Sequence, residues 1–87
     1  MDYPVRTAAQ LGVILQALRK DHGRTQQEAA ETSGLFQKSV SLLERTPERA
    51  TVRSLLALVS ALDAEIVIRS RQSDDGKASV SPTPEEW

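Results

Sequence analysis

Residues 23–45 read GRTQQEAAETSGLFQKSVSLLER, and this stretch decides the fold. Thr25-Gln26-Gln27-Glu28 has the pattern of a capping box, in which the hydroxyl accepts from the third amide and the carboxylate reaches back to the cap amide. A short helix is therefore predicted from about Gln26 to Thr32, with the small residues Ala29 and Ala30 inward, where another helix can approach closely. In Ser33-Gly34-Leu35 the glycine supplies the positive φ that a tight turn needs. A second short helix is predicted from about Gln37 to Glu44, with Val40 and Leu43 on its inner face at about 100° per residue. A capped helix, a glycine-containing turn of about three residues and a second short helix form a helix-turn-helix unit. In such a unit the second helix enters the major groove of DNA, N-terminal end first.

The same periodicity puts Lys38, Ser41, Leu42 and Arg45 on the outer face, with Gln37 and Lys38 at the tip. Gln, Lys and Ser are side chains that read base edges, and an exposed leucine can touch a thymine methyl. An ordinary αα-hairpin with a polar outer face fits the pattern as well, because polar outer faces are the default on small helical domains.

On the N-terminal side, Thr7 with Gln10 repeats the capping box, and Leu11, Ile14, Leu15 and Leu18 form one apolar face of a first helix. Asp21-His22-Gly23 ends it, Gly23 suiting a left-handed C-terminal cap. His22 lies in that last turn, and a capping role explains it without a catalytic or ligand role. On the C-terminal side, Thr46-Pro47-Glu48 breaks the chain and Thr51 caps a fourth helix. There Val52, Leu55, Leu56, Val59 and Leu62 keep helical spacing. Residues 65–71 follow, β-branched at Ile66-Val67-Ile68 and too short for a helix, so a strand is predicted.

Composition narrows the function classes. The chain has 87 residues, no cysteine and one histidine, which excludes disulfides and thiolate metal sites and leaves no basis for a His-bearing triad. No acid, base and nucleophile set stands out, and no cofactor or metal is expected; the chain reads as a binding protein and not an enzyme. No apolar run would span a bilayer, and the N-terminus lacks a signal peptide, so a cytoplasmic location without membrane is expected. The net charge of -1 conceals an asymmetry: residues 1–71 carry ten Lys or Arg against eight acids, and residues 72–87 carry one Lys against four. A mildly basic body thus precedes an acidic tail, QSDDGKASVSPTPEEW, which lacks the apolar residues to fold alone and is expected to be disordered. Domain boundaries at 1–71 and 72–87 follow. A body this small buries only about 60% of its unfolded surface, which favours a dimer or another partner.

Gly23 through Leu35, together with Val40-Ser41-Leu42-Leu43-Glu44-Arg45, resembles the Xre/Cro family of helix-turn-helix domains. The matching features are Thr25-Gln26, Ala30, Gly34 and an aliphatic-x-x-aliphatic-Glu run, and the resemblance spans about residues 8–64. It implies a lambda-repressor-like fold in which Gln26 contacts a phosphate and buttresses the reading helix. It also implies that Gln37, Lys38, Ser39 and Ser41 occupy base-contacting or adjacent backbone-contacting positions. Arg45 on the outer face and Arg24 ahead of the first helix of the unit are expected as further, backbone-steadying DNA contacts. Phe36 departs from the pattern, standing where the family usually has a polar cap; Ala29 and Ser33 replace larger aliphatics.

Within that family the chain resembles HipB-type antitoxins, on its length, the strand directly after helix four, and the acidic tail ending in Glu86-Trp87. The resemblance implies an all-α fold with a short C-terminal strand, Ile66, Val67 and Ile68 pairing with a two-fold mate to make a homodimer. It further implies a palindromic double-stranded operator and a HipA-like serine/threonine kinase toxin, which Trp87 and Glu86 would help bind. Trp87 is the one aromatic of its segment, and aromatic side chains dominate binding hot spots. A stand-alone Xre-family repressor without a toxin would share every feature of residues 1–71. A pure protein-interaction module would share the helices but not bind duplex DNA.

Overall fold

Thr7 fixes where the first helix begins. Its Oγ1 accepts from the Gln10 amide at 3.1 Å while Gln10 Oε1 accepts from the amides of Thr7 and Arg6, at 3.1 and 2.6 Å. The structure, a computed structural model, describes residues 2–71. In it α1 (Ala8–Asp21), α2 (Gln26–Ser33), α3 (Gln37–Arg45) and α4 (Val52–Ala61) follow in order, with a 3-10 turn at Pro47–Arg49 between the last two. The predicted helices all form, and three of the four N-caps are the threonines read from the sequence: Thr7, Thr25 and Thr51. Thr25 carries the complete capping box, its amide donating to Glu28 Oε1 at 2.9 Å. Gly23 and Gly34 both take positive φ, +67° and +78°, where a side chain would be strained.

The core collects one stripe from each helix. Leu15, Ala29, Ala30, Val40, Leu43, Leu58, Val59 and Leu62 are buried, with Leu11, Leu18, Leu35 and Leu55 packed at the margin. α3 lies against α1 and α2, and α2 against α4. Ala29 and Ala30 face inward as their size requires, with essentially no exposed surface. In α4 the inward stripe is Leu55, Leu58, Val59 and Leu62, a spacing of three, four and seven. Val52 and Leu56, which share helical spacing with it, remain 68% and 51% exposed.

The predicted strand is not present. Residues 64–71 have no regular secondary structure, and among the described residues no strand occurs. The physical reason is that a strand exists only through hydrogen bonds to a neighbour, and among the described residues no strand pairs with this segment. Ile66, Val67 and Ile68 stay exposed, Ile68 almost completely. One exposed ion pair, Arg69 to Asp2 at 3.3 Å, ties this segment to the N-terminus. The acidic tail from Gln72 onward lies outside the described residues.

Candidate nucleic-acid interface

The outer face of α3 is available because its inner face is committed. Val40 and Leu43 are buried in the core, which turns Gln37, Lys38 and Arg45 fully outward and leaves Ser39, Ser41 and Leu42 half-buried on the flanks. The candidate readers Gln37, Lys38, Ser39 and Ser41 therefore share one helix, with Gln37 and Lys38 in its first turn. Phe36 is the N-cap of α3 and makes no side-chain capping bond.

Beneath this face lies a buried ionic network that sequence reading missed. Arg19 of α1 donates to Glu44 of α3 through two nitrogens, Nε to Oε2 at 2.6 Å and Nη2 to Oε1 at 3.1 Å. This bidentate geometry is the strong form of the guanidinium–carboxylate pair. Both side chains are nearly closed to solvent. The hydrogen bond to Glu44 pushes the Arg19 pKa above its already high usual value; burial opposes that effect and charge attraction adds to it. Arg19 Nη1 also donates to the Arg24 carbonyl at 2.8 Å, fixing the loop ahead of α2.

Gln26 joins the same network. Its Nε2 donates to Glu44 Oε1 at 3.1 Å, so the first residue of α2 is tied to the last full turn of α3. The side-chain carbonyl of Gln26 is left over for a second partner. The buttressing expected of Gln26 thus has a definite geometry. Arg24 is placed otherwise than as a free cation: half-buried, its Nη1 donates to the Ala61 carbonyl at 3.0 Å, closing the C-terminal end of α4. Such a bond satisfies a carbonyl that the helix leaves without an internal partner.

No family model matches the sequence, and no curated protein matches it. Solved structures do. A chain of a HipA-HipB-O2-O3 complex aligns at TM-score 0.76 and 21% identity, covering 82% of this chain and 100% of that one. A HipB-O4 20mer complex aligns at TM-score 0.75 and 21% identity, with 82% and 100% of the two chains covered. The fold is HipB-like. An MDT protein structure gives the same figures, TM-score 0.75 and 21% identity over 82% of this chain and 100% of that chain.

On the HipB-like fold the remaining candidate residues fall in two places. Ile66, Val67 and Ile68 lie beyond α4, and Ile66 and Val67 border a groove of about 1160 Å³ that Tyr3, Val5, Leu55 and Val59 also line. Glu86 and Trp87, the candidate toxin contacts, lie outside the described residues. His22 plays the expected local role, its Nδ1 lying 3.0 Å from the Leu18 carbonyl at the end of α1. Among the described residues no helix is long and apolar enough to cross a membrane.

Proposed function

We propose that this protein is a sequence-specific DNA-binding repressor that works as a dimer. The observation that carries the reading is the outward face of α3, with Gln37 and Lys38 exposed at its tip, on a fold shared with HipB chains solved with O2-O3 and the O4 20mer. In this reading α3 enters the major groove, Gln37, Lys38, Ser39 and Ser41 meet base edges or nearby phosphates, and Arg45 adds charge at the rear of the helix. Gln26 offers the second N–H of its side-chain amide to a backbone phosphate while the first is held by Glu44. Arg24 acts from within, its side chain tying the loop ahead of α2 to the C-terminal end of α4. An operator as target places the protein with the chromosome, in the cytoplasm.

Dimerisation follows from the exposed apolar residues. Tyr3, Val5, Ile66, Val67 and Ile68 surround or adjoin the groove between α1, α4 and the two terminal segments. A second copy would cover them and let residues 65–71 pair as strands across the two-fold axis. Two reading helices would then sit about 34 Å apart, one turn of duplex or a multiple.

The test is a binding titration against the chain's own promoter and a random duplex of equal length. The wild-type protein should prefer the promoter. Gln37→Ala or Lys38→Ala should each lose on the order of 1–3 kcal/mol on the promoter, with little change on random DNA. Ile66→Asp should sediment as a monomer and lose promoter affinity as well. Equal binding of wild-type protein to both duplexes would sink the reading.

The second part of the proposal is neutralisation of a HipA-like kinase toxin, supported by the shared fold with a chain of the HipA-HipB-O2-O3 complex and by the isolated Trp87 in an acidic segment. Trp87 is the proposed anchor, with Glu86 and Glu85 facing a basic rim. A hot-spot aromatic is worth about 2 kcal/mol, so Trp87→Ala should weaken toxin binding roughly thirtyfold in calorimetry. Its DNA affinity should barely change. A stand-alone repressor is the outcome if no kinase-like neighbour co-purifies.

A further inference from the structure

Phe36 occupies the position before α3 where a polar side chain would ordinarily cap the helix. Its backbone starts the helix instead, the Phe36 carbonyl accepting from the amides of Ser39 at 2.9 Å and Val40 at 3.2 Å, with the residue in extended geometry. The ring takes no part, since it makes no capping bond, and the neighbouring Leu35 supplies the turn's contribution to the core. What remains is a phenyl ring 78% exposed, nearly twice the exposure of Tyr3. Gln37 and Lys38, both exposed, follow it directly on α3.

A ring of this size held in water forgoes the stabilisation that burial would give it. Neither the core nor the cap explains its presence. If α3 enters the major groove with its N-terminal end first, Phe36 stands at the point of entry. The apolar group that base edges offer there is the 5-methyl of thymine, which phenylalanine is one of the residues suited to contact. A ring is a poor partner for the donors and acceptors of the other bases, so contact with a methyl selects one base pair over the rest.

We propose that Phe36 is a specificity-determining residue that packs its ring on a thymine methyl in each half-site, beside the edges read by Gln37 and Lys38. The inference rests on the DNA-binding reading of α3 and adds the base and the chemical group that one residue recognises.

The experiment uses the full chain and a 20-base-pair duplex selected by it from a random pool. Each thymine of the selected duplex is replaced in turn by uracil, which removes the methyl and keeps every hydrogen-bonding group. At one thymine in each half-site, wild-type protein should lose about fourfold in affinity per methyl, the worth of burying one such group. Phe36→Ala should bind the thymine and uracil duplexes equally, and Phe36→Leu should keep part of the discrimination. Both variants should melt with the wild type because the ring lies outside the core. The inference is overturned if wild-type protein ignores every methyl, if Phe36→Ala discriminates as well as wild type, or if Phe36→Ala weakens all duplexes alike. Failure to enrich any duplex would overturn the DNA-binding reading itself, so the two failures are distinguishable.

Discussion

Replacing Glu44 by alanine should cost about 3–5 kcal/mol of folding stability, because it strands the buried Arg19 guanidinium without its carboxylate. A domain of this size holds only about 0.05–0.15 kcal/mol per residue, so the loss is comparable to the whole margin. The melting temperature should fall by about 20 °C or more. Glu44→Gln should fall less far, since a side-chain carbonyl can still accept one bond from Arg19 or from Gln26. The double replacement Arg19→Met with Glu44→Leu separates fold from function. It exchanges two buried charges for apolar groups of similar size, which is often neutral or stabilising. Its melting temperature should therefore recover toward wild type. Its promoter binding should not, because Gln26 loses the acceptor at 3.1 Å that fixes its orientation. Thermal melts and promoter titrations on the three variants check both halves. Glu44→Ala melting within a few degrees of wild type would show that the pair is not needed for folding.

The features legible in the sequence are those that depend on neighbours in the chain. A capping box involves residues three apart, so Thr7-Gln10 and Thr25-Glu28 announce α1 and α2 and appear as two-way hydrogen bonds. Gly34 is likewise a local requirement of its turn. The helix-turn-helix and the outward side chains of α3 follow from those boundaries and from periodicity. The packing of α4 is only half legible, because apolar residues at 52, 55, 56, 58, 59 and 62 cover more of the helix than one face. Periodicity alone does not choose among overlapping stripes; contact with α2 selects the one containing Leu58 and leaves Val52 and Leu56 outside.

The ionic network is not legible at all. Arg19 and Glu44 are 25 positions apart, and each alone looks like a member of a solvated face. In the sequence Glu44 stands out only through a resemblance, with no physical role attached. Tertiary packing creates that role by pressing the last turns of α1 and α3 together. The segment 65–71 fails for the opposite reason. Its β-branched residues express a real preference, but strand formation depends on a pairing partner, and none is found among the described residues. For Arg24 the sequence shows a charge suited to a DNA backbone and not the carbonyl of Ala61 that its guanidinium finds.

Gly12→Ala should destabilise the protein, although alanine in the middle of an exposed helix would gain about 1 kcal/mol over glycine. Gly12 is buried in the second turn of α1, on the same face as Leu15 and Arg19. A Cβ built there would overlap the backbone carbonyl oxygen of Glu44, and would stand 3.2 Å from the carbonyl carbon and 3.4 Å from Cδ of Pro47. These neighbours are stiff: one is the backbone near the end of α3, the other a proline ring buried in the 3-10 turn. Neither can rotate away, so α1 must lift from α3. Overpacking of this kind typically costs about 1–3 kcal/mol. The same displacement would draw Arg19, two turns further along α1, away from the Glu44 carboxylate that it must meet within bonding distance. Gly12→Val adds bulk without relief and should be worse, losing the native fold at ordinary temperatures. Melting curves for Gly12→Ala, Gly12→Val and wild type should rank in the order wild type, alanine, valine. A Gly12→Ala protein that melts higher than wild type would show that helix preference outweighs the close approach, and that α1 can move off the Glu44 carbonyl at little cost.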